Sequence, residues 1–254
     1  MVPVAEALAR IDWSRPWLAP LREQGEALAG QAAVYGIAAA LDAMVSDIDL
    51  SAASLRFVPQ AELPAGEAYE SFIARTACVP TRENLHDFFN GLMWLSFPAL
   101  KRRLNELQAE QLSRRGATGP RGPVRDALTL FDENAALLQA PGALVDALRR
   151  RDWQTLFVTR RVAWSQVRPQ LFGHALLEKL TQPRKPICAH VWIVPEHVDA
   201  QEFLVEMLTP DWLADNSPLP LPVLGVPGWW PANHAALFYD DPAVFRPGLP
   251  KAEA

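Results

Sequence analysis

The run Asn84-Leu-His-Asp-Phe-Phe-Asn-Gly-Leu-Met-Trp-Leu-Ser-Phe-Pro98, continued through Lys101 to Asn105, sets three polar groups beside a dense apolar series. The polar groups are His86, Asp87 and Asn90; the apolar ones are Phe88, Phe89, Leu92, Trp94 and Phe97. The residues ahead of it, Val79-Pro-Thr-Arg-Glu-Asn84, signal entry to a helix. Pro80 disfavours α geometry at Val79. Thr81 is placed to cap, with Asn84 at the matching third position. We expect a helix from about Arg82 or Leu85, kinked or restarted at Pro98, whose ring removes a donor and crowds the preceding turn. The second piece, Ala99 to Leu112, carries Leu100, Leu104 and Leu107 at helical spacing.

Toward the N-terminus, residues 1–50 read as mostly helical. Pro16 or Pro20 suits a first turn, and Leu21, Leu28 and the Ala-rich 32–43 run have helical spacing and propensity. Ser51 to Gln60 alternates weakly, as a strand would. After a loop at 62–67, Ala68 to Cys78 is expected to form a short helix with Tyr69, Phe72 and Ile73 on one side.

Toward the C-terminus, the glycines and prolines of Ser113 to Pro123 exclude regular structure. Arg114, Arg115 and Arg121 make that loop either an anion-binding element or a solvated connector. Asp126 to Gln139 is read as a hairpin, with Leu128 and Leu130 facing Leu137 and Leu138 across a turn at Asp132-Glu-Asn134. Helical patterns return at 142–151 and 152–166. A short strand at Gln170 to Gly173 feeds a helix from His174 to Leu180, ended by Pro183 and Pro186. Ile187 to Val194 is a strand candidate, and Asp199 to Trp212 an amphipathic helix. From Ser217 onward prolines favour extended backbone, yet Trp229, Trp230, Phe238, Tyr239 and Phe245 are too apolar for a free tail. We read 217–250 as an arm wrapped over the core; a proline-rich ligand for a partner's aromatic groove is the alternative. With no internal repeat and no low-complexity linker, the expectation is one α+β domain over residues 1–254. It is mainly helical, with a small antiparallel sheet and the Pro-rich arm packed on it.

Composition sets the outer limits. Half of the 254 residues are hydrophobic and about a fifth are charged, as in an ordinary soluble globular protein. The N-terminus lacks the pattern of a signal peptide, and the apolar run from Gln31 to Val45 is interrupted by Asp42 and too short to cross a bilayer. A cytoplasmic protein with no membrane partner is expected. Cys78 and Cys188 form no CxxC pattern, and a structural disulfide is not expected in a reducing compartment. Net charge is −5, unevenly spread. Residues 1–100 carry 6 basic and 12 acidic side chains, 101–185 carry 16 and 8, and 186–254 carry 2 and 9. A basic middle between acidic ends favours an anionic ligand or nucleic acid, or else pairs internally with the acidic segments.

Candidate chemistry falls in three polar islands. His86 and Asn90 share a helical face, with Asp87 turned about 100° away; His86 serves as a general base, a metal ligand or a structural group. His174 and Glu178 are also four apart, a spacing at which both reach one metal ion or the carboxylate orients the imidazole. His190, on the expected strand, completes a three-ligand set. Asp132 and Glu133 put two carboxylates at a turn, where backbone reasons alone also favour Asp and Asn. Lys101-Arg-Arg103 and Arg149-Arg-Arg151 read as solvated helical faces. No P-loop, GxGxxG, GxSxG or HExxH occurs, which disfavours nucleotide-dependent and common serine-hydrolase activities.

Four strings together carry a resemblance: Val79-Pro-Thr-Arg-Glu-Asn-Leu-His-Asp-Phe-Phe-Asn90, Arg125-Asp-Ala-Leu-Thr-Leu-Phe-Asp-Glu-Asn134, Phe172-Gly-His-Ala-Leu-Leu-Glu-Lys179 and Pro222-Val-Leu-Gly-Val-Pro-Gly-Trp229. From about Trp13 to Pro247 the chain resembles a bacterial family of uncharacterised proteins, the domain of unknown function 3025 family. The resemblance implies one domain family along the chain and brings no activity or ligand set. Ala135 stands where that family usually has Gly, and Cys188 where it usually has Thr.

Two functions are carried forward on nearly equal terms, a third behind them. The first is an enzyme, a metal-assisted hydrolase acting on a small-molecule or anionic substrate. A divalent ion would be held by His174, Glu178 and His190, with His86, Asp87, Asn90, Asp132 and Glu133 in catalytic roles. The second is a non-catalytic binding or scaffold protein whose polar groups form a buried network. The third is a nucleic-acid-binding protein acting through Arg114, Arg115 and Arg121. The enzyme requires the three islands, remote along the chain, to meet at one pocket.

Overall fold

The computed structural model describes residues 4–45, 55–115, 122–167 and 169–248. Helices α1 (Val4–Ala9), α2 (Arg22–Tyr35) and α3 (Ile37–Val45) open the chain, with a 3-10 turn led by Pro16 between the first two. Strand β1 (Arg56–Pro59), helix α4 (Tyr69–Thr76) and strand β2 (Cys78–Thr81) follow. β1 and β2 pair in parallel. The expected strand at 51–60 is thus present from Arg56; residues 51–54 lie outside the described residues.

Helix α5 (Leu85–Ser96) is the packed centre. Phe88, Phe89, Leu92 and Met93 are fully buried and Trp94 and Leu95 nearly so, so apolar contact surrounds the helix and its position is fixed by packing on several sides. Its N-cap is Asn84, whose Oδ1 accepts from Asp87 N at 2.7 Å. Thr81, expected to cap, lies in β2 and donates to Val79 O at 3.0 Å. Once β2 extends through Thr81, the turn into the helix falls three residues later. Phe97 ends α5 and Pro98 begins α6 (Pro98–Arg115), the restart that the proline ring requires. The loop read from Ser113 accordingly begins later, because α6 runs through Arg114, which pairs with Glu110 at 2.6 Å. The remaining loop residues, 116–121, lie outside the described residues.

The 126–139 hairpin is replaced by helix α7 (Pro123–Asn134) running directly into strand β3 (Ala135–Leu138). Pro123 occupies the first helical turn, and Leu128 and Phe131, three apart, are the residues that α7 buries. That helical periodicity outweighs the turn preference of Asp132 and Asn134. Ala135 has φ −68°, a conformation open to any residue, so glycine is not needed there.

Beyond α8 (Gly142–Arg150), π and 3-10 turns span 155–166, and β4 (Gln170–Leu171) leads into α9 (His174–Lys179). β5 (Cys188–Ile193) precedes α10 (Ala200–Met207) and α11 (Pro210–Asp215), the expected single helix being split at Pro210. β6 (Leu219–Pro222) closes a four-stranded sheet in the order β4-β3-β5-β6. Both outer pairings are antiparallel and the central β3–β5 pair is parallel. The prolines of β6 sit in extended backbone, as expected, and that backbone is paired into the sheet. They are accommodated because β6 is an edge strand, where a missing donor is tolerated. Beyond it, Trp229, Tyr239 and Phe245 are buried, Tyr239 stacks on Phe157 at 5.1 Å, and Trp153 Nε1 donates to Arg246 O at 2.7 Å. One cluster of buried side chains runs from Leu8 to Phe245. Among the described residues no helix is long and apolar enough to cross a membrane.

Candidate metal centre

Three helix ends meet where α9 packs against both α5 and α7. The N-terminal turn of α5 brings His86 and Asp87, the C-terminal turn of α7 brings Asp132 and Glu133, and the first residue of α9 is His174. Gly173 makes the meeting close. A Cβ there would lie 2.5 Å from the Asn134 main chain and from Glu133 O, so only glycine lets α9 begin against the end of α7. Phe172 and Gly173 both donate to Ala135 O, at 3.0 and 2.9 Å, which ties the start of α9 to the first residue of β3.

His86, Asp87, Asn90, Asp132, Glu133 and His174 line one cleft of about 320 Å³, with Tyr69 and Arg82 among its other walls. The Nε2 atoms of His86 and His174 face each other at 3.1 Å. Glu133 Oε2 is 3.5 Å from His174 Nε2. One ligand atom from each of these three residues falls within 4.8 Å of the other two. His86 Nδ1 is 3.1 Å from Glu178 Oε2, so Glu178 meets the imidazole of His86 instead of sharing an ion with His174. His190 lies on β5, outside the cleft lining and outside this group; its Nδ1 is buried without a partner. Of the residues expected at the site, the structure brings His86 and Glu133 close to His174, while Glu178 stands behind His86 and His190 is elsewhere. Distance across the fold decides this, and i,i+4 spacing could not.

The hydrogen-bond inventory of the two imidazoles is unbalanced. With Glu178 accepting from His86 Nδ1–H, the His86 Nε2 lone pair points at His174. If His174 Nε2 donates to it, His174 Nδ1 is left as a lone pair. That atom makes no hydrogen bond of normal geometry, although Asp132 lies beside the ring, its main chain acting on the imidazole as an acceptor and its Oδ1 3.9 Å from Nδ1. If both rings are neutral and His174 instead carries its proton on Nδ1, two lone pairs confront each other at 3.1 Å. A buried polar group left unpaired in either arrangement costs free energy. A cation between the Nε2 atoms would accept both facing lone pairs of the second arrangement. Two ligand atoms of a tetrahedral zinc ion stand about 3.3 Å apart, between the 3.1 and 3.5 Å separations found here.

Electrostatics point the same way. Burial holds the His174 imidazole far below its ordinary range, at about 3, with Asp132 opposing the shift and Lys101 and His86 adding to it. It is neutral near pH 7, the form that ligates metals. Burial pushes the Glu133 carboxyl up, and Asp132 beside it adds to the rise; a cation would relieve both. For Asp132, burial acts to raise the pKa, but the Lys101 ammonium overcomes it and holds the group below the usual carboxylate range.

Lys101 was read as part of a solvated face; it is 3% exposed. Its Nζ donates to Asp132 Oδ1 at 2.5 Å and to Asn90 Oδ1 at 2.8 Å, and it sits 5.6 Å from the Trp94 ring centroid. Asn90 Nδ2 in turn donates to the Tyr69 hydroxyl at 3.0 Å. A signal for this was present: Lys101, Asn105 and Gln108 recur at helical spacing on α6 and all three are buried. Asp87 is 6% exposed at its side chain. Its Oδ2 accepts from Arg82 N at 2.7 Å and from Arg82 Nε at 3.0 Å, and its Oδ1 accepts from Arg82 Nη2 at 2.9 Å. Asp87 thus braces the entry to α5 and holds Arg82. Cys188 is half-buried, and burial pushes its thiol up to about 11, leaving it un-ionised.

Residues 55–249 match the family described as "Protein of unknown function (DUF3025)", and the chain belongs to that family. The match takes in every residue of the cleft from Gln60 to His174, and Glu178. No curated protein and no solved structure matches the chain.

Proposed function

We propose that this member of the family is a metal-assisted hydrolase in which His86, His174 and Glu133 hold one divalent ion. The opposed Nε2 atoms at 3.1 Å carry the proposal, since with both rings neutral and the His174 proton on Nδ1 they present two lone pairs to one point, where a cation would be bound. Three protein ligands would leave a further coordination position for water or substrate, the pattern of a catalytic zinc site and not of a closed structural one. An ion so held lowers the pKa of a bound water and polarises a substrate oxygen. Glu178 fixes the tautomer and orientation of His86, as carboxylates behind metal-bound histidines do. Asp132, kept ionised by Lys101, lies beside the buried edge of His174 and favours a proton on Nδ1, which frees Nε2 for the ion.

Elemental analysis of the purified protein, with His174→Ala as control, tests this. One equivalent of zinc or manganese in the native protein and none in the variant is the expected result. A metal-free native protein whose melting temperature does not move on addition of either ion overturns the proposal.

A further inference from the structure

The polarity of the Lys101–Asn90–Tyr69 chain is fixed by chemistry. An ammonium only donates, so the Asn90 atom 2.8 Å from Lys101 Nζ is its oxygen. The amide nitrogen therefore faces Tyr69 and donates to its hydroxyl oxygen at 3.0 Å. Tyr69 accepts there, and among the described residues its own proton has no acceptor. Tyr69 lines the same cleft as His86, Glu133 and His174. The charged side chains of the cleft wall are Glu70, Asp87, Asp132 and Glu133 against Arg82, whose guanidinium is bound to Asp87. With Lys101 on Asp132 and a divalent ion at the site, that lining has no cation left over to hold a polyanion, and Arg114 is not part of it.

We infer that the Tyr69 hydroxyl is an oriented donor to the oxygen of a neutral acyl substrate, an amide or ester, bound at the metal. This deepens the hydrolase proposal and rests on it. In the reaction, water's hydroxyl joins the acyl carbon, the C–N or C–O bond breaks, and the remaining proton leaves on the amine or alcohol. Negative charge gathers on the former carbonyl oxygen during the attack, and a donor already aimed at that oxygen stabilises it without rearrangement. Tyr69 is the catalytic residue here; Asn90 and Lys101 are positioning residues. Burial, together with Asp87 and Asp132, pushes the phenol pKa up, which keeps the proton on the donor.

The test uses full-length protein loaded with Co(II), whose visible spectrum reports binding at the metal, and acetohydroxamate as a probe presenting a carbonyl oxygen. Acetohydroxamate should perturb the spectrum, and its Kd should weaken about tenfold in Tyr69→Phe, the loss of one hydrogen bond to a charged acceptor, with Co(II) affinity unchanged. Asn90→Asp, nearly the same shape, offers only acceptors, so it takes the Tyr69 proton for itself and should weaken the probe similarly while Tyr69 stays in place. Inorganic phosphate should bind more weakly than acetohydroxamate. Equal acetohydroxamate affinity in all three proteins overturns the role of Tyr69 and leaves the metal site standing. Tighter binding of phosphate overturns the neutral acyl class. Absence of any Co(II) spectrum in the native protein overturns the metal site and this inference together.

Discussion

His86 Nε2 and His174 Nε2 stand 3.1 Å apart although 88 residues separate them in the chain. One comes from a helix packed on nearly every side, the other from a helix whose first residue is held against the end of α7. If an ion joins them, His86→Ala, His174→Ala and Glu133→Gln should each abolish the rise in melting temperature on adding zinc. Glu178→Gln should weaken zinc about 10–100-fold by loosening His86. His190→Ala should behave as the native protein does; loss of the zinc response in that variant would show the ligand set to be wrong.

Lys101 and Asp132 form a nearly buried ion pair. Removing one partner strands the other charge, so Lys101→Met should cost about 3–5 kcal/mol in urea unfolding. Adding Asp132→Asn to Lys101→Met should recover much of that loss, because no unpaired charge remains. Additive losses in the double variant would mean that the pair is not coupled.

In chelator-treated protein, His174 should make stability fall on acidification, against a smaller opposite contribution from the raised Glu133 carboxyl. His174 has a folded value near 3, against about 6.5 for the unfolded chain. The unfolded chain binds the proton first, so this contribution is complete above about pH 6.5 and is lost as pH drops toward the folded value. Asp132, depressed from 3.8, acts in the same direction at lower pH: its contribution is present above the unfolded value and lost through the folded one. Urea midpoints at about pH 7.5 and about pH 5 should therefore differ, and His174→Gln should shrink the difference. A pH-independent midpoint in the native protein over that range would contradict a neutral, buried His174.

Gly173→Ala puts a methyl group 2.5 Å from main-chain atoms that cannot rotate away. The expected cost is about 1–3 kcal/mol by overpacking, with weakened zinc binding because α9 must back away from Glu133. Alanine here with native stability and zinc affinity would show that the contact does not position the site.

Much of the architecture was legible from local pattern. The Pro98 restart, the strand before His174 and the burial of the arm's aromatics all follow from short-range rules about proline, glycine and apolar spacing. Asp126 to Asn134 was misread because Asp and Asn suit turns, while the helical spacing of Leu128 and Phe131 carried the stronger constraint. The site was legible as three polar islands, but not in its connections. Glu178 sits at the right spacing for His174 and contacts His86 instead. His190, expected as a third ligand, lies on β5 outside the cleft, a placement that depends on strand and helix order in space. Lys101 was misassigned because a lysine among arginines reads as surface, and only tertiary packing brings Asp132, Asn90 and Trp94 around it.

The most direct test of a metal-centred cleft is calorimetric titration of zinc into chelator-stripped native protein and His174→Ala, both checked for native helical content. One ion per chain in the native protein, with no saturable heat in the variant, is the predicted result. Zinc binding of equal affinity and stoichiometry in both, or in neither, would contradict it.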